Sequence, residues 1–189
     1  AMYILDFYTP VVAHNDTRGP LHSKSGASVR PDREHYFGRI YRIQHENAPA
    51  YGHPDLSQAD AAALVAAFSH PSKVVRFNAL RVLMDRDAAT QSAAAPLLSA
   101  LVSGQGKAEA RILALWALQR LGKLTSEQLA AAATTDSAAV RKNAFLVSEA
   151  GQIALPTAAY RAAFDDADAR VRLASLRSLG RSEERRVGK

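Results

Sequence analysis

Apolar residues recur at helical spacing over the last two thirds of the chain. In one register, an apolar residue precedes an Arg and a small residue follows three positions later; it occurs at Arg76, Arg111, Arg141 and Arg172. The nearly regular recurrence is typical of stacked repeats with a period of about 20 to 50 residues, in which each helical pair buries its apolar face against its neighbours. The pattern therefore predicts a mostly α protein, an α-solenoid of about four helical pairs.

Turn and capping residues divide the repeats into individual helices. Asp55 or Ser57 is placed to cap the first helix, and Pro71 is expected in the first turn of the second, where its missing N–H costs nothing. Gly180 is predicted to end the last helix. The predicted pairs are 57–70 with 71–85, 88–103 with 107–121, 126–133 with 137–150, and 156–164 with 167–179.

The first third of the chain follows a different pattern. Residues 2–8 form an aromatic and apolar run that ends at Thr9-Pro10, and residues 38–45 alternate in the period of two that is typical of a strand. Breakers fill residues 15–35, which predicts a long loop. Because an isolated pair of strands is only marginally stable in water, these strands are expected to dock on the helical repeats or to belong to a larger sheet.

These patterns predict four segments. Residues 1–45 are a β-strand pair with its loop, residues 46–56 are a linker and residues 57–180 are the helical repeats. Residues 181–189 are charged and lack a core-facing pattern, which predicts a disordered tail that is not native to the protein.

The distribution of charge argues against the inference that this basic protein binds nucleic acid. The chain carries a formal charge of +6, but its basic residues are scattered rather than concentrated on one predicted face. Strong phosphate binders concentrate Lys and Arg because each neutralised phosphate releases counterions. Nucleic acid is therefore not the expected partner.

The chain has no Cys, which excludes disulfides, thiolate metal sites and covalently attached haem. No apolar run approaches the roughly 20 residues that span a bilayer, so no membrane span is expected. The first residues lack the basic region of a signal peptide, and any export signal is expected upstream of residue 1.

Two sets of residues could carry chemistry. Imidazole is the commonest metal ligand, but the N-terminal histidines are too widely spaced to match a local ligand motif; they are His14, His22, His35, His45 and His53. No metal site is predicted. The register arginines could grip phosphates, and Trp116 could stack on a base, but their equal spacing within the core pattern favours structural roles.

The repeats resemble HEAT repeats, a family of armadillo-like α-solenoids, over about two thirds of the chain. The resemblance rests on the apolar-Arg pairs and on the Asp residues at the preceding turns, Asp136 and Asp166 or Asp168. It implies that the Asp and Arg of adjacent repeats form a ladder inside the stack. The second repeat departs from the family pattern, because Gly106-Lys107 stands where an Asp-containing turn is expected.

The N-terminal segment resembles the last blade of the β-propeller in bacterial membrane-bound, quinoprotein-like dehydrogenase-domain proteins. The resemblance rests on residues 5–14, on Arg33 and on residues 38–43, followed by a linker and helical repeats. It implies an exported or periplasmic parent protein with more propeller upstream and often a cytochrome c domain downstream. It also places Asp6, His14 and Arg33 near the propeller face; the alternative interpretation is a turn-stabilising Asp with a loop-anchoring His and Arg.

The predicted function is a non-catalytic scaffold or interaction module, a fragment of such a dehydrogenase-like protein. No catalytic residue and no cofactor are predicted in this chain, while pyrroloquinoline quinone and haem c are implied for the parent, a quinone-dependent sugar or alcohol dehydrogenase. A protein partner or the missing propeller strands are the expected partners. Two alternatives stay open: a HEAT-like nucleic-acid-binding or DNA-repair protein, and a general protein-interaction solenoid.

Overall fold

The computed structural model describes residues 2–6, 39–48 and 53–187, with side chains described as far as residue 181. Within these ranges the protein has eight α-helices and one two-stranded antiparallel sheet. This confirms the predicted mostly α class with a short N-terminal β element. The chain divides into two compact units, Ala1–Ala50 and Tyr51–Lys189.

The first unit contains the sheet. Strand β1 spans Met2–Asp6 and strand β2 spans Arg39–Ile43, and they pair with Met2 opposite Ile43 and Asp6 opposite Arg39. Strand β2 therefore ends before residue 45, where the prediction placed its end. The large apolar side chains of both strands are exposed. The predicted end of the first strand, at residues 7–8, and the predicted loop at 15–35 lie outside the described residues.

The second unit contains the helices, which follow the predicted order of four pairs. Short turns join them, and α1 continues into a 3₁₀ turn at Ala67–Ser69. The helices are α1 Ala61–Ala66, α2 Lys73–Met84, α3 Ala88–Ser103, α4 Ala108–Arg120, α5 Ser126–Ala132, α6 Ala138–Gly151, α7 Thr157–Phe164 and α8 Ala169–Val187.

Two predicted helix starts are corrected by the structure. Helix α1 begins later than predicted, because the side chain of Asp60 accepts the hydrogen bond from the Ala63 amide and acts as its cap. Asp55 instead accepts a hydrogen bond from the Ser57 amide in the preceding turn. Helix α2 begins after Ser72, so Pro71 lies before the helix and not in its first turn.

The last helix also departs from the prediction. It was expected to end at Gly180 and to be followed by a disordered tail, whereas α8 continues to Val187. Gly180 does not adopt the left-handed conformation that ends helices, and the residues after it include good helix formers. The Arg181 side chain, 3.0 Å from Glu149 of α6, also ties the helix beyond Gly180 to its neighbour.

The helices contact one another in sequence order. The second helix of each pair packs on the second helix of the next, α2 on α4, α4 on α6 and α6 on α8, while α1 packs on α3 and α3 on α5. Two positions of the register are buried in every pair. The residues before the arginines are Val75, Ala110, Val140 and Val171, and the small residues three positions after them are Ala79, Ala114, Ala144 and Ser175. Small side chains there let neighbouring helices approach closely.

Candidate functional site

The register arginines occupy the fourth residue of the second helix in each pair, and their backbone amides each donate to the carbonyl four positions earlier. Side chains on a helix lean toward its N-terminus, so an Arg at this position can reach back over the preceding turn. The structure places Arg76, Arg111, Arg141 and Arg172 here.

Three of these arginines, Arg76, Arg141 and Arg172, hold the turn that precedes their own helix. In each, Nη1 donates to the carbonyl oxygens of the residues six and five positions earlier, at 2.6 to 3.2 Å. No capping side-chain hydrogen bond is made at the start of α2 or α6. The guanidinium therefore joins the turn to the first residues of the helix. The pairs of carbonyls belong to His70 and Pro71, to Thr135 and Asp136, and to Asp166 and Ala167.

Arg141 also binds the next helical pair through a two-point ion pair. Its Nε lies 2.7 Å from Oδ2 of Asp166 and its Nη2 lies 2.8 Å from Oδ1. Both side chains are largely shielded, 18% exposed for Arg141 and 8% for Asp166. The hydrogen bonds from Arg141 lower the pKa of Asp166, and those from Asp166 raise the pKa of Arg141. Paired hydrogen bonds of this kind are stronger than neutral ones and fix geometry as well.

Arg111 makes a looser version of the same contact. Its Nη1 lies 3.8 Å from Oδ1 of Asp136, whose side chain is 84% exposed. Asp136 is as far along the chain from Arg111 as Asp166 is from Arg141. The Nε of Arg111 instead donates to the Val102 carbonyl at the end of α3, 3.3 Å away, so it is not available to the carboxylate.

The end of α3 accounts for this difference. Val102 lies in the last turn of the helix, where carbonyls have no partner within the helix, and its carbonyl accepts from Nε of Arg111. The turn that follows, before α4, contains Gly106-Lys107. Beside Arg111 lies an open cavity of about 440 Å³, lined also by Ser103, Gln105 and Thr135. Asp136 also lines this cavity.

The Asp predicted as an alternative to Asp166 has a local role. Asp168 accepts from the backbone amide and the side chain of Arg170, at 2.6 to 3.1 Å. The side-chain hydrogen bond from Arg170, followed by its backbone hydrogen bond, lowers the pKa of Asp168. Asp168 therefore holds the start of α8, while Asp166 faces the preceding pair.

The candidate propeller-face residues are only partly within the described ranges. Asp6 ends β1 opposite Arg39. His14 and Arg33 lie outside the described residues, so their proximity to Asp6 stays a prediction. Among the described side chains, no three His, Cys, Asp or Glu are grouped to hold a metal ion. Every helix in the described part is too short or too polar to cross a bilayer.

Trp116 lies within the packing of the helices. It is half-buried, packs against the core, and donates from Nε1 to the side-chain oxygen of Asn143 in α6, 3.1 Å away. The contact joins α4 to α6, so the indole edge is engaged within the protein.

Polar contacts that the sequence did not reveal lie between α6, α7 and α8. Tyr160 and Ser178 share a hydrogen bond of 3.1 Å, while Ser148 donates to the Ile153 carbonyl just after its own helix at 2.7 Å. Glu149, nearly buried, pairs with Arg177 and Arg181 of α8 at 3.6 and 3.0 Å. The contacts that reach α8 join positions far apart in the sequence, beyond the reach of any local motif.

Comparisons with known protein families, with curated proteins and with solved structures find no match for this chain.

Proposed function

We propose that the chain is a non-catalytic interaction scaffold, built as a HEAT-like α-solenoid of about four helical pairs. One observation carries the proposal: in three of the four second helices the arginine at the fourth position joins its own turn, and Arg141 also binds the acidic residue of the next pair. The buried positions on either side of these arginines recur in the same register. Repetition of both core and polar contacts supports a stack, whose useful property is its extended surface.

The polar contacts favour this proposal over nucleic-acid binding. An Arg that binds phosphate needs free N–H groups directed at the ligand. In Arg141, Nε, Nη1 and Nη2 all donate hydrogen bonds to oxygens of the protein. Arg111 is buried beside α3. Among the register arginines, Arg76 and Arg172 are therefore the two most accessible to another partner.

A DNA titration separates the two functions. We expect the full chain to show no saturable increase in fluorescence anisotropy of a labelled duplex at 50 mM salt. The alternative predicts binding whose affinity falls steeply as salt rises, with a slope set by several phosphate contacts. Binding with that slope, lost on substitution of Arg76 and Arg172 by Gln, would replace the scaffold proposal.

We also propose that the parent protein is an exported, dehydrogenase-like protein with a β-propeller before this segment. The support is the resemblance of residues 5–14 and 38–43, together with the exposure of the sheet. Leu5 is 76% exposed and Ile40 is 70% exposed, although strands with such side chains are normally covered on at least one face. The missing propeller strands are the proposed cover.

In this proposal, quinone and haem c belong to the parent and not to this chain. We expect no turnover when the chain is incubated with pyrroloquinoline quinone, a panel of sugars and alcohols, and an artificial electron acceptor. A quinone-dependent reduction of the acceptor, above that of a heat-unfolded sample, would contradict the non-catalytic role.

A further inference from the structure

The outer face of α8 exposes a position that is buried in the two preceding pairs. At the position four after the register Arg, Leu115 in α4 and Phe145 in α6 are both 0% exposed, whereas Leu176 in α8 is 56% exposed. Leu173 beside it is 60% exposed and Phe164, at the end of α7, is 38% exposed. We call Arg172, Leu173 and Leu176, which lie on neighbouring turns of α8, the terminal face.

The surroundings of Phe145 show what covers the position four residues after the register Arg in α6. Its ring lies 5.5 Å from that of Tyr160 in α7, and α6 packs along α8. The position is therefore buried by the following helical pair rather than within its own. Leu176 occupies the same position, so the contact it is suited to make is with another helical pair.

The charged atoms of the terminal face follow the same register. Nη1 of Arg172 donates to the carbonyls of Asp166 and Ala167, as Nη1 of Arg141 does in its own turn. In Arg141, the remaining donors Nε and Nη2 hold the carboxylate of Asp166. In Arg172, the same two atoms make no hydrogen bond to any residue that the structure describes. They form a fork that fits a carboxylate.

We propose that the terminal face binds a partner α-helical pair whose connecting turn carries an aspartate. The partner's aspartate would lie on Nε and Nη2 of Arg172, and its apolar side chains would cover Leu173 and Leu176. This inference rests on the stacked arrangement proposed above, and it adds the chemistry of the partner.

A second copy of this chain does not provide that partner. The turn at the start of its stack is His70-Pro71-Ser72, followed by Lys73, and it contains no acidic residue. A head-to-tail dimer would therefore place His70 and Pro71, rather than an aspartate, at the positions that face Arg172. Charge complementarity favours a different helical pair.

The chain's own fourth pair is a suitable probe, because it already covers this register position on α6. In the test protein, residues 1–182 are followed directly by a second copy of residues 152–189. The copied Asp166 then stands in the same sequence relation to Arg172 as the original Asp166 does to Arg141. We expect amide exchange in residues 171–179 to slow by about tenfold or more relative to the natural chain, because docking adds a neighbour that must open first.

Two variants of the extended protein identify the contacts. Leu176→Glu, and separately Asp166→Asn in the appended copy alone, should each remove most of the added protection. Leu176→Glu in the natural chain is the matched control; since the position is exposed, its thermal midpoint should move by less than about 2 °C. Unchanged exchange in the extended protein, or full protection with the appended Asp166→Asn, would overturn the proposal.

Sedimentation of the natural chain tests whether a second copy of the chain binds the terminal face. We expect a monomer at 100 µM, whereas a dimer that Leu176→Glu converts to a monomer would also overturn the proposal. Failure of these tests with a measurable Arg141–Asp166 interaction would reject the terminal face while leaving the scaffold proposal intact.

Discussion

Asp166→Asn, in the contact with Arg141, should lower the stability of the fold far more than Asp136→Asn, in the contact with Arg111. Asp166→Asn keeps the side-chain shape but removes the charge and turns one acceptor into a donor that faces the guanidinium of Arg141. The hydrogen bond from the Asp168 amide to Oδ1, 2.9 Å long, can persist in the variant. The loss is therefore confined to the contact between helical pairs.

The structure sets the size of the effect. The 2.7 Å hydrogen bond to Oδ2 is lost, and the 2.8 Å hydrogen bond to Oδ1 is no longer made to a charged acceptor, in a pair that is less than one fifth exposed on either side. Hydrogen bonds to charged groups contribute about 1.5 to 3 kcal/mol, and breaking a shielded pair leaves the other charge uncompensated. Because Arg141 keeps its two turn carbonyls, we expect a loss of about 2 to 3 kcal/mol.

Asp136→Asn is the matched control. Its carboxylate is mostly exposed and lies 3.8 Å from Arg111, so its removal should cost less than about 0.5 kcal/mol. Urea unfolding followed by circular dichroism at 222 nm measures both. With a slope of about 2 kcal/mol per molar urea, Asp166→Asn should lower the midpoint by about 1 to 1.5 M and Asp136→Asn by less than about 0.3 M. Equal shifts in the two variants would refute the reasoning.

Further predictions concern acid stability, glycines and the buried register position. Because the folded-state pKa of Asp166 is lowered, its contribution is complete above the unfolded value of about 4 and is lost as pH falls toward the lowered value; unfolding free energies between pH 7 and 2 should fall less in Asp166→Asn than in the natural chain. Gly180→Ala should raise the unfolding free energy by about 0.5 to 1 kcal/mol, because the residue is exposed within a helix and its Cβ meets nothing within 4 Å. Gly122→Ala should lower it by about 1 kcal/mol, because Gly122 adopts a φ of +64°. Phe145→Ala should cost about 3 to 5 kcal/mol, whereas Leu176→Ala at the equivalent position should cost less than about 1 kcal/mol. Urea unfolding measures these changes. A rise in the unfolding free energy for Gly122→Ala, or equal losses for Phe145→Ala and Leu176→Ala, would contradict these assignments.

The sequence predicted the helices well because helical periodicity is a local signal. The bounds of α3 and α5 agree closely with the prediction at both ends. The main errors occur at the ends of the helical region. Asp55, Ser57 and Asp60 are all capable caps, and sequence alone could not choose among them, since the choice depends on how the preceding turn folds.

The Arg-Asp contacts were only partly accessible from sequence. The separation along the chain is identical for both contacts, yet Arg141 binds its aspartate tightly and Arg111 does not. The difference arises because Nε of Arg111 donates to the Val102 carbonyl, in the last turn of α3 just before the turn at Gly106. The sequence identified that turn as atypical, but not which carbonyl Nε of Arg111 would reach.

The buried hydroxyl contacts could not be predicted in any specific way. Ser148, Tyr160 and Ser178 come from three helices, and their meeting depends on the packing of α6, α7 and α8. Small polar residues at apolar positions were compatible with the helical pattern, because a serine whose hydroxyl is hydrogen-bonded is tolerated in a core.

The most direct test of the stacked arrangement is the distance between α2 and α8, which are the second helices of the first and the last pair. Phe77 in α2 and Leu173 in α8 each follow the register Arg by one position, and they are 52% and 60% exposed, so both sites accept a spin label. Three successive helix spacings of about 8 to 10 Å separate them in a stack. Double electron–electron resonance should therefore give a mean distance of roughly 25 to 30 Å. A mean below about 15 Å, as expected if α2 and α8 packed together in a closed bundle, would contradict the account.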